Sequence, residues 1–310
     1  MNKVLSIMIN SKTKSRVEKT AEWIFKICAL FALIAVVMMT GYMIYSGTPA
    51  LLKVGIKEIL FSNVWNPSAA DPQYGILNII FTSIVGSAGA ILVGVPIGVL
   101  TAVYLSEVAS SRMAKIVKPA VELLAGIPSV VYGLIGILLI NPVMYKLELF
   151  FFKNDPTHQF TGGCNLLSAI IILAIMILPT VINISESAIR AVPKHLKSGS
   201  LALGGSQMQT IFKVILPAAK TGILSAIVLG VGRAIGEAMA IVLVSGNSVN
   251  LPLPFNSVRF LTTAIVSEMS YASGTHRQVL FTIGLVLFIF IMIINIILTK
   301  IIKSGDDQHA

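Results

Sequence analysis

The stretch Lys194-His-Leu-Lys-Ser-Gly-Ser-Leu-Ala-Leu-Gly204-Gly-Ser continues through Ile211-Phe-Lys-Val-Ile-Leu-Pro217 into a long apolar segment that holds Arg233-Ala-Ile-Gly-Glu237. The polar part reads as two short helices joined by a turn at Gly204-Gly205, with Pro193 suited to the start of the first. Met208, Ile211, Phe212 and Ile215 recur at helical spacing in the second. Such a stripe lies on a membrane surface or docks on a partner. The apolar part is long enough to cross a bilayer, yet carries two charges. Charges inside a membrane helix are costly and face a cavity or a partner. The polar half therefore reads as a surface that takes force from a motor, and the apolar half as the part that handles cargo.

The whole chain supports a membrane setting. Of its 310 residues 55% are hydrophobic and only 12% are charged, and the mean hydropathy is +0.88. That is too apolar for a soluble protein and fits an all-α polytopic one. The net charge of +10 reflects cationic cytoplasmic loops rather than nucleic-acid binding. Cys28 lies in the first apolar run and Cys164 in a polar loop, so no disulfide joins them. His158, His195, His276 and His309 are scattered, without metal-ligand spacing. No cofactor is implied.

Read in order, the chain gives six spans. A basic tail, 1–26, precedes an uncleaved first helix over Ile27–Tyr45, whose Tyr42 and Tyr45 suit an interfacial belt. Residues 47–75 form a turn-rich loop with Trp65-Asn-Pro67 and Asp71-Pro72. The second helix covers 76–105. Gly86, Ala90, Gly94, Gly98 and Ala102 recur every four residues along it, the small-residue stripe that lets membrane helices approach closely; Pro96 kinks it. A basic loop, 106–119, leads to a third helix over 120–140, weakened by Gly126-Ile-Pro-Ser-Val-Val-Tyr-Gly133. That weakness serves a packing kink or a substrate path, since non-helical backbone at membrane depth must be covered by protein or water. Ser129 and Tyr132 are the polar side chains it would place on such a path. A loop with Lys146 and Lys153 follows. The fourth helix is 166–185, the fifth 218–245 and the sixth 279–302, with polar segments 187–217 and 247–278 between them and a polar tail, 303–310. One side of the membrane collects sixteen of the Lys and Arg residues and the other six, with Arg233 inside. The richer side is cytoplasmic, which places both termini and 187–217 in the cytosol.

No enzyme site is visible. The chain has no Gly-x-x-x-x-Gly-Lys-Ser/Thr to cradle ATP. Gly230-Val-Gly232 lies in an apolar helix without a preceding strand and reads as helix packing.

Ala202-Leu-Gly204 and Val214-Ile-Leu216-Pro217 resemble the cytoplasmic coupling motif of ATP-binding-cassette importer permeases. That motif is Glu-Ala-Ala, three residues, Gly, nine residues, Ile-x-Leu-Pro. Gly204, Leu216 and Pro217 stand in register and Val214 takes the Ile position. Ser198-Gly199-Ser200 stands where Glu-Ala-Ala is expected. Val64-Trp-Asn-Pro67, Gly75-Ile, Gly126 to Leu134, Arg233-Ala-Ile-Gly-Glu237 and Gly236-Glu-Ala-Met-Ala240 through Gly246-Asn247 are similar to the PstC-type permeases of the high-affinity phosphate importer. The resemblance covers nearly everything after the basic tail. It implies a type I importer permease fold, with inorganic phosphate as cargo. It also implies three partners: a second, PstA-like permease, a dimer of a PstB-like ATPase and a PstS-like phosphate-binding protein.

Arg233 and Glu237 are four apart and share a helix face. Either they form a structural salt bridge, or Arg233 meets phosphate through its two-pronged guanidinium and Glu237 holds it when cargo is absent. Glu122 reads as a helix-start charge at the interface. Rival functions are a permease for sulfate or molybdate, a membrane sensor or scaffold that moves nothing, and an ion-driven secondary transporter.

Overall fold

A computed structural model describes the backbone of residues 2–306 and the side chains of 18–300. Much of the tail expected at 1–26, and the tail at 303–310, therefore lie outside the described side chains. Five helical segments among the described residues are long and apolar enough to cross a membrane: Glu18–Lys53, Leu77–Val108, Ser129–Phe152, Leu166–Arg190 and Gly274–Lys300. A sixth is reached if Gln207–Ala218 and Lys220–Gly236, bent by 69°, are counted together. The element α11, Lys220–Gly236, has 17 residues and is by itself about 25 Å long.

The seam that organises the bundle is the glycine stripe. It lies on α3, Leu77–Val103, and packs against α7, Leu166–Arg190. A Cβ added at Gly94 would stand 2.7 Å from Ile177 Cδ1, and one at Gly98 would stand 2.8 Å from Val181 Cγ1. Ala90 and Ala102 are fully buried. Lipid gives helices no hydrophobic reason to associate, so close backbone approach and dispersion must hold them. Helix α7 starts cleanly because buried Asn165 accepts the Ser168 N–H at 3.0 Å. Its inward residues Leu166, Ile172, Leu173 and Met176 form the main core. The long α1, Asn2–Lys53, packs on α14, Gly274–Asp306, at Gly47, whose carbonyl accepts Thr282 Oγ1 at 3.0 Å. Farther along, α1 leaves Trp23, Phe31 and Met38 exposed, as a lipid-facing helix should.

Several boundaries differ from the sequence expectations, each for a local reason. The first helix does not begin at 27; α1 is continuous from Asn2. The loop expected at 106–119 is instead a π-turn, Tyr104–Val108, then an amphipathic helix α4, Ser111–Ala125. Ser110 caps α4 by accepting the Met113 N–H. Glu122 is therefore in the last turn of a helix, not the first. The third span is broken: α4 ends before Gly126-Ile-Pro128, and α5, Ser129–Ile135, begins after it. A π-turn at 136–140 leads into α6, Asn141–Phe152, so Lys146 is helical rather than in a loop. The loop at 47–75 holds α2, Ile56–Phe61, and a hairpin in which β1, Trp65–Asn66, pairs antiparallel with β2, Gln73–Tyr74.

The fourth helix runs five residues past the expected 185, to Arg190. The segment 247–278 contains α13, Leu261–Glu268. At that end buried Glu268 gathers Trp65 Nε1 at 3.2 Å, His276 Nε2 at 2.7 Å and Arg259 Nη1. Cys28 and Cys164 are both free.

Candidate functional site

The polar segment after α7 folds as two helices about a turn. Pro193 precedes α8, Lys194–Ala202. Ser198 Oγ bonds back to the Lys194 carbonyl at 3.2 Å, and Ser200 Oγ meets Thr210 Oγ1 at 2.9 Å across the turn. Gly204 has φ of +84°, a left-handed conformation that favours glycine, and the Gly205 N–H returns to the Ser200 carbonyl at 3.1 Å. Ser206 then caps α9, Gln207–Thr210, reciprocally with Gln209. A π-turn, 211–215, leads into α10, Leu216–Ala218, with Pro217 in its first turn.

The apolar residues of this segment divide. Ile211 and Ile215 are buried with Val103, Ile189 and Ile223, and Leu216 packs against that cluster. Met208 and Phe212 are 61% and 51% exposed. The expected single stripe is thus two edges, one holding the segment to the bundle and one left open. Gly199, Leu203, Lys213 and Val214 line a groove of about 570 Å³ between α8 and the π-turn. Leu203, beside the turn, is 92% exposed. The opposite face of α8 is tied to the bundle. Lys197 Nζ pairs with Glu107 Oε2 at 2.5 Å, and Gln207 Nε2 donates to the Glu107 carbonyl at 3.2 Å.

The charged segment in the membrane differs from its expected form. Helix α11 stops at Gly236, and Glu237 is extended, with φ −72° and ψ 132°. A new short helix α12, Met239–Val244, follows. Arg233 and Glu237 therefore do not share a helix face, and no ion pair joins them among the described residues. Glu237 is used locally: its carboxylate accepts the Ala240 N–H at 3.1 Å and its carbonyl accepts Thr262 Oγ1 at 2.7 Å. Three elements, α11, α12 and α13, are fastened at this residue.

The two interrupted spans are neighbours. Helix α5 packs on α12 so closely that a Cβ at Gly133 would stand 3.0 Å from Ala240 Cα. Tyr132 is buried, and its hydroxyl donates to the Leu124 carbonyl at 2.7 Å across the Gly126–Pro128 break. Arg233 interacts electrostatically with the Tyr132 hydroxyl. Ser129 opens α5 and is half-buried. On α11 a Cβ at Gly232 or Gly236 would meet nothing within 4 Å, and Leu229 is exposed. Leu229, Gly232, Arg233 and Gly236 thus form an open helix face. Chemically this is a guanidinium with no carboxylate within 4.0 Å among the described residues, set beside two breaks in helical backbone. Such a group attracts an anion and can hold it with parallel hydrogen bonds.

Sequence reasoning missed Glu107 and Glu186. Glu186 is buried and binds both Arg190 and Lys118. Its spacing four residues before Arg190 was the available signal; nothing in the sequence marks its pairing with Lys118.

The family model described as "Binding-protein-dependent transport system inner membrane component" matches residues 94–304. The "Probable ABC transporter permease protein YqgH" of Bacillus subtilis (strain 168) is 37% identical over 298 residues, 93% of each chain. The "Phosphate transport system permease protein PstC" of Xylella fastidiosa (strain 9a5c) is 34% identical over 284 residues, covering 87% of this chain and 86% of that one. The PstC of Haemophilus influenzae is 30% identical over 318 residues, covering 96% and 98%. Among solved structures, an inward-facing MetNI methionine ABC transporter is similar in fold, with a TM-score of 0.53 at 20% identity over 74% of this chain and 94% of that one. The chain therefore belongs to the binding-protein-dependent transport system inner membrane components, as a multi-pass permease of the cytoplasmic membrane with PstC permeases among its relatives.

Proposed function

We propose that this chain is one permease subunit of an ATP-driven ABC importer and moves inorganic phosphate inward. The observation that carries the reading is the near full-length similarity to permeases named for phosphate transport. It coincides with Arg233, a guanidinium without a carboxylate partner among the described residues, on an open helix face beside two helix breaks. A second, PstA-like permease would cover that face. The groove between α8 and the π-turn, with exposed Leu203, Met208 and Phe212 around it, would receive one copy of a PstB-like ATPase dimer. Residues Ser198, Gly199, Ser200, Gly204, Val214, Leu216 and Pro217 belong to this coupling segment. ATP is hydrolysed by that partner, because the present chain has no loop to hold nucleotide phosphates. A PstS-like protein would deliver phosphate from the other side. Arg233, Ser129 and Tyr132 would line the path, and Glu237 would fix the break beside them.

Radiolabelled phosphate uptake by vesicles containing all four components tests this. Uptake should require ATP and the binding protein, and excess sulfate or molybdate should leave it unchanged. Uptake of sulfate in preference to phosphate would transfer the same architecture to another oxyanion and overturn the cargo assignment.

Orientation follows from the charge asymmetry: both ends of the membrane domain, 27–302, and the coupling segment would face the cytosol. With Cys28 and Cys164 replaced by Ser, a cysteine at Asn154 should react with an impermeant maleimide in cells with a permeabilised outer barrier. One at Lys197 should not. Labelling at 197 alone would invert the topology.

A further inference from the structure

We propose that Glu186 is a positioning residue that ties α4 to the coupling segment, so that movement received by α8–α10 is carried along α4 to the break at Gly126–Pro128. The inference rests on the permease reading and adds to it a second route from the coupling segment to the Arg233 site.

The first route is covalent: α10 is joined through Ala219, at a 69° bend, to α11, which carries Arg233. Helix α4 lies some seventy residues earlier in the chain and has no such link. Its apolar hold on the bundle is small, a cluster in which Val121 meets Leu105 and Ile182, flanked by Val117 and Leu178. The polar hold is Lys118, whose Nζ stands 3.0 Å from Glu186 Oε2. Glu186 is near the C-terminal end of α7 and is 1% exposed. Its other oxygen takes Arg190 Nε at 2.5 Å, and Arg190 Nη2 donates to the Leu105 carbonyl at 3.2 Å. Two residues on, Glu107 holds α8 through Lys197 and α9 through Gln207.

A buried carboxylate is strongly disfavoured when it loses a partner. Glu186 has one oxygen satisfied from α7 and the other from α4, so parting the helices strands one of them. Glu186 thus joins α4 to α7, Arg190 joins that pair to the π-turn after α3, and Glu107 in the same turn holds α8 and α9, so these elements move together more cheaply than apart. Helix α4 has 15 residues and spans about 22 Å as a rod. At its far end the Leu124 carbonyl is held by the Tyr132 hydroxyl. A shift of α4 thus pulls on α5 across a glycine that has open space around it, since a Cβ at Gly126 would stand 3.5 Å from the Leu123 carbonyl oxygen, an ordinary van der Waals contact. The site receives motion from α11 on one side and from α4 through Tyr132 on the other.

The importer, reconstituted with its partner permease, ATPase and binding protein, is assayed for phosphate taken up per ATP hydrolysed. Lys118→Met removes the α4 half of the link and leaves Glu186 paired with Arg190, and uptake and hydrolysis are both normalised to assembled complex. ATP hydrolysis should stay within about twofold of the unaltered complex while uptake per ATP falls about tenfold. Lys118→Arg should restore the ratio. Glu186→Gln should give the same loss, and Lys118→Met decides the matter whether or not that variant assembles. An unchanged ratio in Lys118→Met overturns the proposal, and so does a proportional fall of uptake and hydrolysis, which is what a merely structural role produces. An unaltered complex that takes up no phosphate would instead remove the permease reading itself.

Discussion

Replacing Gly94 by leucine is expected to lower the amount of folded protein in the membrane by about tenfold or more, because overpacking a dense seam costs about 1–3 kcal/mol and sometimes more. The reason is geometric. A single Cβ there would stand 2.7 and 2.8 Å from Ile177 Cδ1 and Cγ1 and 3.0 Å from the Ala174 carbonyl oxygen. Ile177 is fully buried and has no room to swing aside. The carbonyl belongs to the α7 backbone and cannot move without moving the helix. Leucine would force α3 from α7 along the seam that also holds Gly98, Ala90 and Ala102, and membrane helices have little besides packing to resist separation. Gly232→Ala is the control, since a Cβ at Gly232 meets nothing within 4 Å among the described residues. Its abundance should equal that of the unaltered protein. The measure is the monodisperse fraction recovered from membranes. Full recovery of Gly94→Leu would mean that the α3–α7 contact is not the one described.

That seam was legible in the sequence because four-residue spacing of small side chains has one common physical use in a membrane. The turn at Gly204-Gly205 was legible for a similar reason: two glycines between helical patterns mark a chain reversal. The first part of helix α4, before residue 120, was not legible. Its three cations and Pro119 look like a loop, and its cap, Ser110, is a residue type equally at home in turns. The break at Glu237 was hidden more deeply. Gly236 weakens a helix, but Glu237, Ala238 and Met239 are all good helix formers. The interruption depends on Thr262 taking the Glu237 carbonyl, a contact twenty-five residues away in sequence. The same holds for Glu186 with Lys118 and for Glu107 with Lys197, which is ninety residues distant. At the site the cation and the flanking glycines could be read; which partner each charge takes could not, because a helix break of two residues, Glu237 and Ala238, reverses the answer.

Arg233→Gln is expected to abolish phosphate uptake. Removing one member of a desolvated charge pair costs about 2–5 kcal/mol, or roughly thirtyfold to several thousandfold at 1.4 kcal/mol per decade. Among the described residues no carboxylate pairs with the guanidinium, so the anion would be its principal counter-charge. Glutamine keeps a similar length and some donor capacity but carries no charge. Arg233→Lys keeps the charge and loses the planar fork that matches two phosphate oxygens; it should retain about a tenth of the uptake. A purely structural bridge between Arg233 and Glu237 predicts a different pattern. Each single variant would then lower the abundance of the complex, and the double variant Arg233→Gln, Glu237→Gln would recover transport. The observed geometry expects no recovery, because Glu237 is occupied with the Ala240 N–H and faces away from a shared helix stripe. Uptake must be normalised to assembled complex, so that a folding defect is not counted as a transport defect. Near-normal uptake by the double variant would return the pair to a structural role and leave the cargo without its cation in this subunit.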